Sequence, residues 1–489
     1  MTTRTRAAYR CRLDGAAAPR HDAPMTHPPE RAAAGAGAAP SPAAPGAAPT
    51  DRSRCSWRLP RRRGAYLTGT AGADRLVGLD AARGAALVGM MAAHVGLTTC
   101  GLTSVPGLLN QAHGRAAVLF SVIAGFSLGI MSGRTAPHTG ERLVRTRLRL
   151  LVRSALLLVL GAVLSTFGTM VAIILGYYAA WLALAIPVLT WRARRLFVLA
   201  GLTAAIGPVL VQGAPWALGR AGLTLFPAVS DGNSALLSFF FTGAYSGALW
   251  MAYIYLGLGL SRLDWSRSAN LWRLAGAGAL CAGLGYAGGW AASLAVSPQS
   301  PDSYHLVSPA DPAQCHLEDA DPPEGPGAPS GAASSSWTAQ FDEKGGGTEE
   351  DGGAIIDPGP PGLSQLATAA PHSDTPFEAL GSGGAAMTLI AVLQLVGRRA
   401  RHVLAPLAAM GSMSLTVYCG HIVVIWATEN PYDPTDNRFF AAMAGGFAVF
   451  AMAWLAIWAR GPLEHLVHVI SVRATRAPRP GAAPGPGAR

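Results

Sequence analysis

Long apolar runs separated by short polar segments make up most of this chain. The run from Ser154 to Thr190 contains no Asp, Glu, Lys or Arg. As a single helix it would measure about 55 Å, whereas the hydrocarbon core of a bilayer is about 30 Å thick. The run must therefore fold back on itself, and STFGT at 165–169 is the predicted hairpin. This pattern predicts an all-α protein, a polytopic membrane helix bundle.

Apolar runs of about 18 to 25 residues predict about ten transmembrane helices. The candidate crossings lie at 76–97, 115–133, 149–165, 170–190, 196–213, 243–260, 271–296, 378–397, 403–427 and 438–459. Helices 1–7 fall within residues 75–297 and helices 8–10 within residues 377–470.

Basic residues occupy every second connection between these runs. They cluster at 52–63, 134–149, 192–195, 262–267, 398–401 and 460–476, whereas 97–114, 166–169 and 429–437 contain no Lys or Arg. Because positively charged loops stay in the cytoplasm, this alternation predicts that both termini are cytoplasmic and that the protein is a multipass plasma membrane protein. The net charge of +11 is explained by these helix ends, which would contact anionic membrane lipids. Nucleic acid is not an expected partner.

Three segments are too polar for the bilayer. Residues 1–74, rich in Ala, Pro, Gly and Arg, and residues 471–489 are predicted to be disordered cytoplasmic tails. Residues 298–376 are rich in Pro, Gly, Ser and acidic side chains, and Lys344 is their only Lys or Arg. This composition predicts a disordered, acidic extracytoplasmic loop.

The first apolar run, RLVGLDAARGAALVGMMAAHVG at 75–96, carries Asp80, Arg83 and His94. Arg83 and His94 are eleven residues apart, so they leave the same helix face about 16 Å apart along the axis. Asp80 is close enough to Arg83 for an ion pair. Ionisable residues within a membrane helix usually face a cavity or a partner, which predicts a functional lining. The alternative is that Asp80 and Arg83 neutralise each other near the headgroups while His94 lies at the far interface.

Two further histidines are predicted at the depth of His94. His113 precedes the second crossing and His421 lies in the ninth; their alternative roles are a loop residue and a helix-packing residue. Three imidazoles at one level could bind zinc, but no carboxylate or Cys accompanies them at ligand spacing, so no metal is expected. GFSLG at 125–129 matches a serine-nucleophile pattern but lies inside a crossing, so Ser127 is interpreted as a packing residue.

The first run resembles the first helix of transmembrane acyltransferases, including the heparan-alpha-glucosaminide N-acetyltransferase-like family and the wider group that O-acylates cell-surface glycans. Arg83 and His94, with ten residues between them, match a motif of that wider group. Later stretches resemble a related bacterial multipass membrane family of unassigned function. They are HGRAAVLFSVIAGFSLGIMSGR, LGYYAAWLALAIPVL, TGAYSGALWMAYIYLGLGLSRLD, PHSDTPFEALGSGGAA and GPLEHL.

The resemblance implies an acyltransferase that moves an acyl group, acetyl by expectation, from cytoplasmic acyl-CoA to a cell-envelope glycan or lipid-linked acceptor. An imidazole would act as base or acyl carrier. In the N-acetyltransferase-like family the catalytic histidine lies in the loop between the first two helices, which favours His113 over His94. Tyr418 would help His421 stabilise the oxyanion. The expected catalytic residues are His94, His113, His421 and Asp80, and the expected acyl-CoA-binding residues are Arg83, Arg115, Arg142 and Arg145.

A transporter is the main alternative function. Asp80, Arg83, His94 and His421 would then form a proton relay, and helices broken at Pro or Gly would surround a substrate path. The absence of an obvious repeat relating the first five crossings to the last five counts against this interpretation. A non-catalytic membrane scaffold is the third alternative.

Overall fold

Helices are the only regular elements in the part of the chain that the computed structural model describes, which is 76–97, 103–169, 171–220, 238–296, 362–429 and 436–475. The predicted all-helical fold is therefore confirmed for these residues. The predicted tail at 1–74 lies outside the described residues, as do most of the predicted loop and most of the C-terminal tail.

The described helices follow one another in a simple order. They are α1 (Val77–Val95), α2 (Val105–Asn110), α3 (Arg115–Met131), α4 (Gly140–Ser165), α5 (Leu175–Leu184), α6 (Ala193–Arg220), α7 (Gly247–Ser261), α8 (Ser268–Val296), α9 (Leu363–Leu366), α10 (Pro376–Arg399), α11 (Ala405–Ser412), α12 (Ser414–Ala427), α13 (Arg438–Ile457) and α14 (Pro462–Ala474).

Five of these helices, α4, α6, α8, α10 and α13, are long and apolar enough to cross a membrane. A sixth candidate is the pair of α11 and α12, if the two helices form one span despite a bend of 87°. Helices α3, α5 and α7 are apolar but have 10–17 residues, which is short for a core of about 30 Å. The structure thus supports a membrane helix bundle with five to six candidate spans, while the count of about ten and the orientation stay predictions.

Three predicted boundaries differ from the structure. Helix α4 begins at Gly140, so Arg142 and Arg145 lie on a helix and not in a loop. Residues 362–376, assigned by composition to the disordered loop, contain α9 and a turn that leads into α10. Helix α14 continues to Ala474, past the predicted start of the C-terminal tail. In each case the helix or turn extends beyond the apolar run from which its boundary was predicted.

Helix α1 lies at the centre of the bundle and is buried on most of its surface. It packs against α3, α10, α11 and α13. Its contact with α11 brings the two backbones together: a Cβ on Gly84 would overlap the carbonyl group of Leu407, and a Cβ on Gly411 would overlap the carbonyl oxygen of Asp80. Small residues at such a crossing allow two membrane helices to pack closely. This packing fixes the ionisable residues of α1 relative to the α11–α12 bend.

Candidate active site at the end of the first helix

His94 and His421 contact each other at the C-terminal end of α1. Nδ1 of His94 lies 3.2 Å from Nε2 of His421, and the two rings stack with centroids 5.3 Å apart at an interplanar angle of 6°. The ring of Tyr418, one turn earlier on α12, packs edge-on against His421 with centroids 5.1 Å apart. The structure therefore brings together two of the predicted histidines, from helices more than 300 residues apart in sequence.

The partners of His421 favour one arrangement of protons in this pair. Nε2 of His421 meets His94, whereas Nδ1 is buried without a hydrogen bond of normal geometry, and the ring interacts with the backbone of Tyr418 and Val417 in the preceding turn. Since a backbone carbonyl can only accept, we assign the N–H group of His421 to Nδ1. Nε2 of His421 then accepts the proton of Nδ1–H of His94, and Nε2 of His94 keeps its lone pair. In this tautomer His94 is a base oriented by a second imidazole.

A cavity of about 50 Å³ opens beside His94. One water needs about 10 to 15 Å³ by the same kind of measure, so the cavity has room for several non-hydrogen atoms. Its polar lining comes from His94, Tyr245, His372 and Tyr418, and the rest is mostly small apolar side chains. The hydroxyl oxygen of Tyr418 accepts the backbone N–H of Ile174 at 3.2 Å.

His113 lies in the turn between α2 and α3 and is buried. Burial, followed by the electrostatic interactions with His372 and Arg115, lowers the pKa of His113 to about 4. The flanking residues Ala112 and Gly114 line the cavity. His113 thus lies between two residues that line the cavity without lining it itself, and its imidazole is neutral at physiological pH.

His372 is a fourth imidazole at this end of the bundle. It was not predicted as a site residue because its segment, 298–376, has the composition of a disordered loop. It lines the same cavity as His94. Its backbone has the left-handed φ of 59°, which non-glycine residues seldom adopt without support from the surrounding structure. Its ring packs between Tyr245 and Trp250, with centroids 5.7 and 6.0 Å away. A ring held in this way is fixed in orientation before any substrate arrives.

Glu378, in the first turn of α10, fixes the backbone around His372. Its carboxylate accepts the backbone N–H groups of His372 at 2.7 Å and Asp374 at 2.8 Å, and the hydroxyl of Ser373 at 3.2 Å. Asp374 also has a left-handed φ, of 51°. Its own carboxylate accepts hydrogen bonds from the Ser246 hydroxyl at 2.7 Å and the Trp250 indole N–H at 3.2 Å. The turn is thus tied to α10 and to α7.

A local sequence signal for this turn exists in TPFE at 375–378. The Thr375 hydroxyl caps α10 by accepting the backbone N–H of Glu378 at 3.1 Å, Pro376 occupies the first helical position, and Glu378 stands three residues after the cap. This pattern predicts a helix start with an acidic side chain directed back towards the preceding residues. It could have separated 371–378 from the polar loop before it.

The other end of α1 holds Arg83 in a different environment. The guanidinium donates to Asp80 at 3.3 Å, to the carbonyl of Gly411 at 3.2 Å and to the Ser127 hydroxyl at 2.8 Å. Asp80 and Arg83 therefore form the predicted ion pair. Ser127, predicted to serve only in packing, accepts a charged hydrogen bond. Asp80 lies far from the three predicted histidines.

Glu464 on α14 also contacts the bend between α11 and α12. Its carboxylate accepts the backbone N–H groups of Leu415 at 2.6 Å and Thr416 at 3.1 Å and the Thr416 hydroxyl at 2.6 Å. Backbone groups freed where a helix breaks need partners in a membrane. Arg83 supplies one for the end of α11, and Glu464 supplies several for the start of α12.

The four predicted acyl-CoA-binding arginines do not converge on one place. Arg115 is at the histidine end, where Nε donates to the Tyr286 hydroxyl at 2.8 Å and the guanidinium lies over the Tyr286 ring. Arg142 and Arg145 are exposed on the first turns of α4, and Arg145 pairs with Glu141 at 2.7 Å. Arg83 is held at the bend. Within the described ranges no group of three or more His, Cys, Asp or Glu could hold a metal ion.

Comparison with known proteins identifies one family. A family model described as an acyltransferase domain matches residues 76–458. This range includes all four histidines of the site and ends before α14, which carries Glu464. No curated protein and no solved structure matches the chain.

Proposed function

Because the chain belongs to the acyltransferase-domain family, whose model covers residues 76–458, we propose that it is a membrane enzyme that transfers an acyl group from acyl-CoA to a hydroxyl-bearing acceptor of the cell envelope. The acyl group is acetyl in this proposal, and the acceptor is a glycan or a lipid-linked sugar. One observation carries the proposal: His94, which lies 3.2 Å from His421, lines a cavity at the buried C-terminal end of α1.

The chemistry assigned to His94 is that of a general base. Nε2 takes the proton from the acceptor hydroxyl, and the oxygen forms a bond with the carbonyl carbon of the thioester. The carbon–sulfur bond then breaks, and the proton passes from His94 to the departing sulfur, which leaves as the CoA thiol. His421 stabilises the transient imidazolium by accepting the hydrogen bond from Nδ1 of His94.

The donor is proposed to approach along α4. Arg142, Arg145, Arg149 and Arg153 are spaced by three or four residues, so they share one face of this helix. Arg153, deepest in the row, interacts electrostatically with Arg83. Arginine suits forked contacts with phosphate groups, so this row can guide the polyanionic part of CoA towards the bundle. With the predicted orientation, the row starts in the cytoplasm.

The proposal is tested by measuring CoA thiol release from acetyl-CoA by the purified protein in nanodiscs, with and without an extract of envelope glycans and lipids. We expect release that depends on the extract and that falls by a factor of about 100 or more in His94→Ala. His402→Ala, at an exposed histidine in the turn before α11, is the matched control and should retain turnover. No release by the wild-type protein contradicts the proposal.

A transporter is the second candidate because of one feature, the 87° bend between α11 and α12. Broken helices with charged residues at the break are typical of substrate sites in transporters. Here, however, Arg83 and Glu464 bond to the backbone at the break. Uptake of a solute by proteoliposomes in the absence of acyl-CoA would favour the transporter over the enzyme.

A further inference from the structure

We propose that the cavity beside His94 holds the acyl group of the donor and that Met90 limits the length of this group. The enzyme then takes short acyl groups such as acetyl and rejects longer ones. This role of Met90 rests on the proposed acyl transfer and adds a specificity-determining residue to it.

The position of His94 brings the first atoms of the acyl group to this cavity. A general base lies about 2.6 to 3.2 Å from the hydroxyl that it deprotonates, and two reacting atoms lie about 3 to 3.5 Å apart before they bond. The carbonyl carbon of the donor is therefore within about 7 Å of Nε2 of His94 when the reaction begins. Because His94 lines the cavity, the alkyl carbons next to that carbonyl meet the cavity wall.

The chemistry of the wall suits an alkyl group better than a sugar. Apart from two histidines and two tyrosines, the cavity is lined by alanine, glycine, Met90 and Ile174. A sugar ring in such surroundings would bury hydroxyl groups against apolar side chains, and each hydroxyl without a partner is unfavourable. An alkyl chain loses no hydrogen bond there and gains apolar contacts. The apolar part of the wall is therefore assigned to the acyl group.

The size of the cavity restricts the acyl group to a short one. The cavity has about 50 Å³, and one water needs about 10 to 15 Å³, so it accommodates only a few groups of this size. An acetyl group and the acceptor oxygen fill this space. Each further methylene of a longer acyl group adds an atom for which the wall must move.

Close packing behind the wall opposes such a movement. A Cβ on Gly89 would lie 2.9 Å from the Cβ of Ala116, so α1 and the start of α3 are in close contact. On another side, the ring of Tyr245 packs edge-on against Trp250 with centroids 4.9 Å apart, and Trp250 stacks on Trp181 at 5.6 Å. A closely packed interior transmits an increase in volume as strain. The cavity therefore discriminates by length.

Met90 is the part of the wall that a substitution can open. Of the apolar residues that line the cavity in the described part of the chain, only Met90 and Ile174 have side chains larger than that of alanine. Ile174 lies where α5 begins, and its backbone N–H bonds to Tyr418, so a change there would also disturb the site. Met90 is buried within α1, one turn before His94 on the same face. Its side chain therefore determines how far the apolar end of the cavity extends.

Two donors that differ in acyl length test the proposal. Acetyl-CoA and butyryl-CoA are each supplied to the protein in nanodiscs with the envelope extract, and kcat/KM is determined from the release of CoA. We expect the wild-type value to be about 100-fold higher for acetyl-CoA, because each extra methylene in an apolar pocket of fixed size changes the rate by a factor of about ten or more.

Met90→Ala should reduce this ratio to about tenfold or less. The substitution removes Cγ, Sδ and Cε, so butyryl-CoA should react faster, while inhibition by free CoA, which has no acyl group, should be unchanged. Met91→Ala is the matched control. Met91 is also buried on α1 but is not among the described residues that line the cavity, so this variant should keep the wild-type ratio.

Ala93→Val changes the cavity in the opposite direction and gives a result even if Met90→Ala does not fold. Ala93 lines the cavity, one turn from Met90, and the larger side chain takes up space there. We expect the ratio to rise by about tenfold above that of the wild type, because butyryl-CoA should lose more activity than acetyl-CoA.

The outcomes separate the acyl-length limit from the acyl transfer. A wild-type protein that releases no CoA from either donor overturns the acyl transfer itself. A wild-type protein that is active and uses butyryl-CoA as well as acetyl-CoA overturns only the length limit. The same holds if Met90→Ala keeps the wild-type ratio, if Met91→Ala lowers it equally, or if Ala93→Val slows both donors equally.

Discussion

The two ends of α1 carry ionisable residues of the same helix face in opposite chemical situations. At one end, Arg83 forms hydrogen bonds to Asp80, Gly411 and Ser127, all of them within the protein. At the other end, His94 uses one nitrogen for His421 and turns the rest of its ring to a cavity. Ionisable groups in a membrane helix mark function in general. We infer that the partners of each group decide whether it supports the fold or is available for the proposed chemistry.

The strongest test of the packing at the Arg83 end of α1 is Gly411→Ala. The added Cβ would overlap the carbonyl oxygen of Asp80, so α1 and α11 must separate. We expect a loss of about 3 kcal/mol in the free energy of unfolding, the upper part of the range for overpacking, measured as a lower thermal midpoint. Gly446→Ala on α13, where nothing lies within 4 Å of the new Cβ, is the control. Equal stability of the two variants contradicts the close packing of α1 on α11.

Glu464→Gln tests the support of the bend from α14. The amide keeps one acceptor oxygen and loses the charge that strengthens three hydrogen bonds at the start of α12. We expect a loss of about 2 kcal/mol in unfolding free energy. Glu141→Gln, which removes an exposed ion pair with Arg145, should have little effect. If Glu464→Gln leaves the free energy of unfolding unchanged, α12 keeps its position without this carboxylate.

Glu378→Gln tests whether the turn at His372 depends on its carboxylate. One amide group replaces an oxygen that now accepts a hydrogen bond, so we expect a loss of about 1 to 2 kcal/mol in stability. The loss should appear as a lower thermal midpoint, because the backbone N–H groups of His372 and Asp374 lose the charged acceptor that holds them. An unchanged thermal midpoint would contradict the support of this turn by Glu378.

Burial of His113 and His372 should make stability depend on pH. The pKa values of His113 and His372 are lowered to about 4 from a usual value of 6.5, so the unfolded chain binds more protons between these limits. Stability is complete above pH 6.5 and is lost as the pH falls towards 4, by on the order of 1 kcal/mol or more for each group. In thermal melts between pH 7.5 and 4.5, His372→Asn should show a weaker pH dependence than the wild type. An unchanged slope contradicts the assignment.

Helical periodicity predicted part of the site. Counting residues placed Arg83 and His94 on one face, and the apolar runs placed His421 near the depth of His94. The path of α12 could not be predicted in the same way, because the 87° bend depends on Arg83 and Glu464, which are distant in sequence from Met413 at the break. Contacts between residues this far apart in sequence cannot be deduced from local composition.

His372 was missed for a different reason. The long polar segment 298–376 was assigned as one unit from its content of Pro, Gly, Ser and acidic residues. Its last residues follow another pattern, since Thr375 and Glu378 form a helix cap that orders the turn before it. The capping signal is only four residues long, and an average over a long segment conceals it. For the same reason the crossing was predicted to begin at residue 149, although α4 begins at Gly140.

A paired measurement on the two ends of α1 tests whether Arg83 supports the fold while His94 serves the proposed chemistry. Thermal midpoint and CoA release are determined for His94→Ala and Arg83→Gln in the same nanodisc preparation. We expect His94→Ala to keep the thermal midpoint and to lose turnover by a factor of about 100 or more. Arg83→Gln should lose about 3 kcal/mol of stability and keep turnover within about tenfold when corrected for the folded fraction. A stable Arg83→Gln variant without turnover, or a fully active His94→Ala variant, would contradict the claim.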